Sequence, residues 1–206
     1  MQYLPRMRKI LEERPIYGTP PEPSEFCDKV YVGNHKNAEC LALLRRYGIT
    51  HLLNCDGLPV LRRERERRFD AYRKELGGRL EYEEILMEDH IDADMLHHFT
   101  RAFAFIEKAT KVGRVLIYSD NVNTSGMIAI GYLVYRGVSL IDAAKRLKYH
   151  RNAALFNVGF MRQLITYAHD RQLLDGPMRF HARTDLAVDA SRLRKRLRDP
   201  CLIKLF

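Results

Sequence analysis

The chain has 206 residues, 46% hydrophobic and 30% charged, with a formal net charge of +9; this suits one soluble globular domain with a real core. No apolar run approaches the roughly 18 residues of a membrane span, and Arg6, Arg8 and Lys9 precede no apolar segment of the secretory kind. Cys27, Cys40, Cys55 and Cys201 show neither CxxC nor zinc-site spacing, so reduced thiols in a cytoplasmic setting, or also a nuclear one, are expected.

In chain order, residues 2–13 read as a short amphipathic helix with Leu4, Met7, Ile10 and Leu11 on one face and Pro5 in its first turn. Tyr17 to Pro23 is a linker too rich in proline to stay helical. Strand 30–32, helix 37–47 and strand 50–54 follow. Gly57-Leu58-Pro59 then breaks the chain before a charged segment over 60–76, which Gly77-Gly78 closes. A strand over 80–86 leads to a helix over 95–111, where Met95, Phe99, Ala102, Phe103 and Ile106 recur at helical spacing as core residues. The buried central strand is 114–118, followed by helices over about 125–136, 139–149 and 157–174. This alternation predicts an α/β domain with a mostly parallel central sheet flanked by helices. Residues 1–24 form an N-terminal helix and linker, 25–176 the domain, and 177–206 a basic extension with an amphipathic stretch at 185–198.

The most informative segment is the turn out of the central strand. Val115-Leu116-Ile117-Tyr118 is apolar, Ser119-Asp120-Asn121-Val122-Asn123-Thr124 is largely polar, and a helical apolar run begins near Ser125. Loop N–H groups beside a helix N-terminus make an anion site.

That layout resembles the dual-specificity branch of the cysteine-dependent protein phosphatases. The family's loop reads His-Cys-x-x-Gly-x-x-Arg-Ser between a strand and a helix ending Ala-Tyr-Leu-Met; here the helix ends Gly131-Tyr132-Leu133-Val134. Val30-Tyr31-Val32-Gly33-Asn34 is similar to the family's first strand and turn. Tyr47 to Asn54 is similar to its Leu-Gly-Ile-Thr-His-Val-Leu-Asn segment, and Phe156 to Leu164 to its Pro-Asn-x-Gly-Phe-Leu-x-Gln-Leu segment. Together these matches span roughly residues 26–174.

On that pattern Ser119 stands at the nucleophilic cysteine, Tyr118 at the histidine before it, Thr124 at the arginine and Ser125 at the serine after it; with the gap placed elsewhere Ser125 takes the arginine position, and no placement puts an arginine there. The loop is one residue short, and its glycine is replaced by Asn121 or Val122. Asp89 stands at the general acid. A serine gains far less than a cysteine from a helix N-terminus and needs an adjacent base. A missing arginine removes a bidentate phosphate clamp, and Asp120 adds repulsion toward a phosphate dianion.

Read with those losses, the resemblance implies a pseudophosphatase and not an enzyme. It would resemble the serine/threonine/tyrosine-interacting proteins and act as a binding or scaffold module in phosphorylation signalling. Implied partners are protein kinases, phosphoproteins or active phosphatases, bound through the altered loop (Asp120, Asn121, Val122, Asn123, Ser125); no cofactor and no metal is implied. The alternative is an active protein phosphatase with Ser119 or Asp120 as nucleophile and Asp89 as acid. An aspartyl nucleophile usually brings a magnesium ion, which Asp120 and Asp89 would share.

Two basic clusters remain. Arg62, Arg63, Arg65, Arg67 and Arg68 read as a solvated helix face with pairs such as Glu64 with Arg68, or as a docking surface led by Arg62, Arg63 and Arg65. Arg192 to Arg198 form the second. No aromatic residues interleave with these arginines, which disfavours nucleic acid. Asp92 and Asp94 read as capping carboxylates, and His97 and His98 as surface or partly packed side chains.

Overall fold

A computed structural model of the chain describes residues 2–13, 20–56, 62–120, 122–152 and 155–175. The breaker at 57–59, residues 17–19 of the 17–23 linker, and the C-terminal extension with its stretch at 185–198 lie outside the described residues.

Five strands form one sheet in the order β1-β2-β5-β3-β4: β1 (Ser24–Cys27), β2 (Val30–Asn34), β3 (His51–Asn54), β4 (Glu81–Glu84) and β5 (Val115–Ser119). The inner pairings are parallel, and β1 runs antiparallel on the edge, so the sheet is mixed. Every residue of β5 is buried, as a central strand covered on both faces requires.

Strand periodicity divides the core in two. Val30, Val32, Leu53, Val115 and Ile117 face one side with Met7 and Leu11 of α1 (Tyr3–Leu11). The same side takes the buried faces of α5 (Phe99–Val112), α6 (Val122–Tyr135), α7 (Leu140–Arg151) and α8 (Val158–Asp170). Tyr31, Leu52, Leu116 and Tyr118 face the other, with Leu44 of α3 (Leu41–Tyr47) and Phe69 of α4 (Arg62–Glu75). Consecutive side chains of a strand point to opposite faces, so β2, β3 and β5 each feed both layers.

The differences from the sequence reading are local. A single helix over 37–47 is instead a short α2 (His35–Ala38) followed by α3. Asn34 and Asn37 form a reciprocal capping box at the first turn, and Cys40 is extended at φ −104° and ψ 97°. The helix predicted from 95 begins as a 3-10 turn over Leu96–His98. Gly131 is required by packing, because a Cβ there would sit 2.4 Å from the Phe99 ring.

Candidate active site

β2, β5 and β3 run parallel, with Asn34 opposite Ser119 and Asn54 opposite Tyr118. In open α/β sheets ligand sites lie beyond the carboxyl ends of such strands. Here the residues just past the three strand ends are His35, Asp120 and Asp56. Asp56 accepts hydrogen bonds from His35 Nε2 and from the backbone N–H of Asp120, the latter at 2.8 Å. Asp120 Oδ1 lies 3.7 Å from the same imidazole nitrogen. The His35 ring stands edge-on to Tyr118, centroids 5.0 Å apart. Burial disfavours the charged imidazolium, but the hydrogen bond it donates to Asp56 and the charges of Asp56 and Asp120 outweigh it and raise the His35 pKa.

Behind these three the loop closes on itself. Ser119 is fully buried; its hydroxyl donates to Ser125 Oγ at 2.7 Å and accepts the Ser125 backbone N–H at 3.2 Å. The helix predicted from 125 begins at Val122, which corrects the reading of 120–125 as loop. Val122 packs against the core, and Thr124 is 2% exposed with a hydroxyl that has no hydrogen-bond partner among the described residues. Asn121 lies outside the described residues. A loop one residue short, with no glycine, lets the helix start earlier and draws three of the expected loop residues into its first turn.

Asp89 is exposed at the rim and held by two amides. Asn123 Nδ2 donates to one carboxylate oxygen at 2.8 Å and Asn157 Nδ2 to the other at 2.7 Å. Asn157 also caps α8 by accepting the Phe160 N–H at 2.9 Å, and Asn123 accepts the Phe156 N–H at 2.9 Å. The acid position is thereby tied to the first turns of both α6 and α8. Asp89 is not the carboxylate that joins Asp120, which correct the shared-magnesium idea: Asp56 and His35 hold that place.

The geometry separates the candidate nucleophiles. Ser119 is sealed, with Ser125 among its hydrogen-bond partners. Cys55 adjoins Asp56, but it is fully buried and burial pushes its thiol pKa well up, the opposite of a reactive thiolate. Asp120, with a side chain 66% exposed, is an anionic oxygen donor at the mouth.

On α4, Arg63 and Arg67 are exposed, while Arg68 pairs with Glu39 beside α2. The side chains of Arg62, Glu64 and Arg65 lie outside what is described. Among the described residues no helix is long and apolar enough to cross a membrane. His35 and Asp56 escaped the sequence reading because 85 residues separate His35 from Asp120. The available signal was their place three and two residues past the predicted strands at 30–32 and 50–54.

The family model for the dual specificity phosphatase catalytic domain matches residues 30–170. Dual specificity protein phosphatase 26 of Bos taurus is 34% identical over 156 residues, covering 71% of this chain and 66% of that protein. The chain thus spans just under two thirds of that relative's length. The crystal structure of human DUSP28 is 26% identical with a TM-score of 0.60, covering 77% of this chain and 99% of that one. The human tyrosine phosphatase-like serine/threonine/tyrosine-interacting protein is 18% identical at a TM-score of 0.59, covering 74% and 99%, and shares the fold alone.

These likenesses correct the expectation that the chain is not an enzyme, since relatives matched in sequence at 33–34% identity, in Bos taurus and Homo sapiens, are named dual specificity phosphatases. A missing cysteine and arginine argue against one mechanism and do not show loss of turnover. Its topology, strand-end site and sequence likeness all agree: the chain belongs to the dual specificity phosphatase family, whose catalytic domain it carries over residues 30–170.

Proposed function

We propose that the domain hydrolyses phosphate esters on the tyrosine, serine or threonine side chains of proteins, with Asp120 as nucleophile and Asp89 as proton donor. The observation that carries this reading is the exposed Asp120 carboxylate beyond the central strand, beside a sealed Ser119. Family membership supports the reaction class. A carboxylate oxygen can act as nucleophile and form an aspartyl phosphate.

In the first step an Asp120 oxygen bonds to phosphorus and the ester P–O bond breaks. Asp89 gives its proton to the departing hydroxyl. In the second step water attacks the aspartyl phosphate, Asp89 takes back a proton, and phosphate and the Asp120 carboxylate are released. Asn123 and Asn157 hold Asp89 in place for both transfers. The obstacle is charge: each pair of like unit charges about 4 Å apart repels by about 4 kcal/mol at an effective dielectric near 20.

Assaying the purified chain with an aryl phosphate and a phosphotyrosine peptide, with manganese or magnesium supplied, tests the reading. Turnover that falls at least about 100-fold in Asp120→Asn is expected, the scale of losing one group aimed at the reacting centre. No turnover under any of these conditions, or an Asp120→Asn variant as active as the parent, would refute it.

A further inference from the structure

We propose that His35, Asp56 and Asp120 bind one divalent transition-metal ion, manganese or zinc, at the mouth of this site. One imidazole nitrogen and two carboxylate oxygens lie within 4.8 Å of one another. An ion about 2.0–2.2 Å from each ligand would take the place of the proton between His35 Nε2 and Asp56, and the exposed Asp120 side chain, 3.7 Å from that nitrogen, can move to complete the set. The mixed nitrogen and oxygen donors suit manganese or zinc better than the all-oxygen preference of magnesium or calcium. Three protein ligands leave coordination positions open, as in catalytic metal sites.

The ligands are held from behind. His35 opens α2 on the Asn34–Asn37 capping box, and the Asp56 N–H donates to Asn54 Oδ1 at 3.2 Å. The Asp56 side chain is only 11% exposed, so its charge is largely withdrawn from water. Two carboxylates facing one imidazole leave the trio with an excess of negative charge that a cation would neutralise.

The ion's role rests on the phosphatase reading, though its binding does not. A cation on Asp120 would reverse the repulsion that two carboxylates present to a phosphate dianion, while the second Asp120 oxygen stays free to attack. It would do the work of the absent arginine.

Titrating the full chain with manganese while following the paramagnetic resonance signal of the free ion tests this directly, and thiols compete poorly for manganese. One ion bound per chain is expected, with affinity falling at least tenfold in Asp120→Asn and in His35→Gln. Asp92→Asn, an exposed carboxylate outside the trio, should bind as the parent does. Absence of binding at millimolar manganese, or equal binding by all three variants, overturns the proposal. A bound ion with no turnover upholds the site and fails the phosphatase reading. Turnover with no bound ion does the reverse.

Discussion

Ser119 and Ser125 are joined by two hydrogen bonds, hydroxyl to hydroxyl at 2.7 Å and backbone N–H to hydroxyl at 3.2 Å. The pair bridges the end of β5 and the first turn of α6 in a fully buried place. Ser119→Ala would strand the Ser125 N–H and remove a hydroxyl partner. A loss of about 1–3 kcal/mol in unfolding free energy is expected, read by urea denaturation. Turnover should fall far less than in Asp120→Asn. Abolished turnover in a stably folded Ser119→Ala protein would make the serine the nucleophile instead.

A Cβ on Gly159 would lie 1.8 Å from the Ile91 carbonyl oxygen. Relief requires moving backbone, either α8 or the loop that carries Asp89. Gly159→Ala should cost about 1–3 kcal/mol, the scale of overpacking, and lower phosphatase turnover by displacing Asp89. Thermal denaturation and steady-state kinetics together check it; unchanged values in both would contradict the close contact.

Arg151 is fully buried, with no carboxylate partner among the described residues. Its guanidinium donates to the carbonyls of Pro20 and Glu22 at 2.9 and 2.8 Å and reaches Asn37 Oδ1 at 3.5 Å, and burial lowers its pKa to about 10. It pins the segment entering β1 to the end of α7. Arg151→Met should destabilise by roughly 2–3 kcal/mol, the scale of charge-assisted hydrogen bonds lost from a buried place. Hydrogen exchange at residues 20–27 should quicken; protection unchanged there would show the pin to be idle.

His51 is buried in β3, with Nδ1 2.8 Å from Thr50 Oγ1. Burial lowers its pKa, and the charge of Glu81 offsets this only in part. Such a group stays neutral in the fold and takes a proton on unfolding. Its share of stability is therefore full above the ordinary value of 6.5 and declines as pH falls below that value through the folded pKa. His150, lowered by burial and then by Arg146, acts with the same sign, while His35, raised, acts with the opposite one. Denaturant midpoints at pH 7.5 and 5.5 should differ less in His51→Asn than in the parent. An identical pH slope would remove His51 from the account.

The parallel strands and the helices between them were legible because their apolar runs and periodicities are strong. β1 was not: Ser24-Glu25-Phe26-Cys27 follows three prolines, has one inward residue in Phe26, and is bulged between Glu25 and Cys27. Its pairing is dictated by the exposed edge of β2, which no local pattern reports. The site was half legible. Ser119, Asp120 and Asp89 could be placed by resemblance, whereas His35 and Asp56 join Asp120 only through strand register. The expected inactivity leaned on two absent side chains, and absence cannot reveal what another carboxylate does in their place.

The most direct test of the central claim is steady-state hydrolysis of an aryl phosphate by the purified chain beside its Asp120→Asn variant, both with manganese present. The account predicts measurable turnover in the parent and a loss of at least about 100-fold in the variant. A parent with no activity above the metal-only blank, or a variant matching its parent, would contradict it.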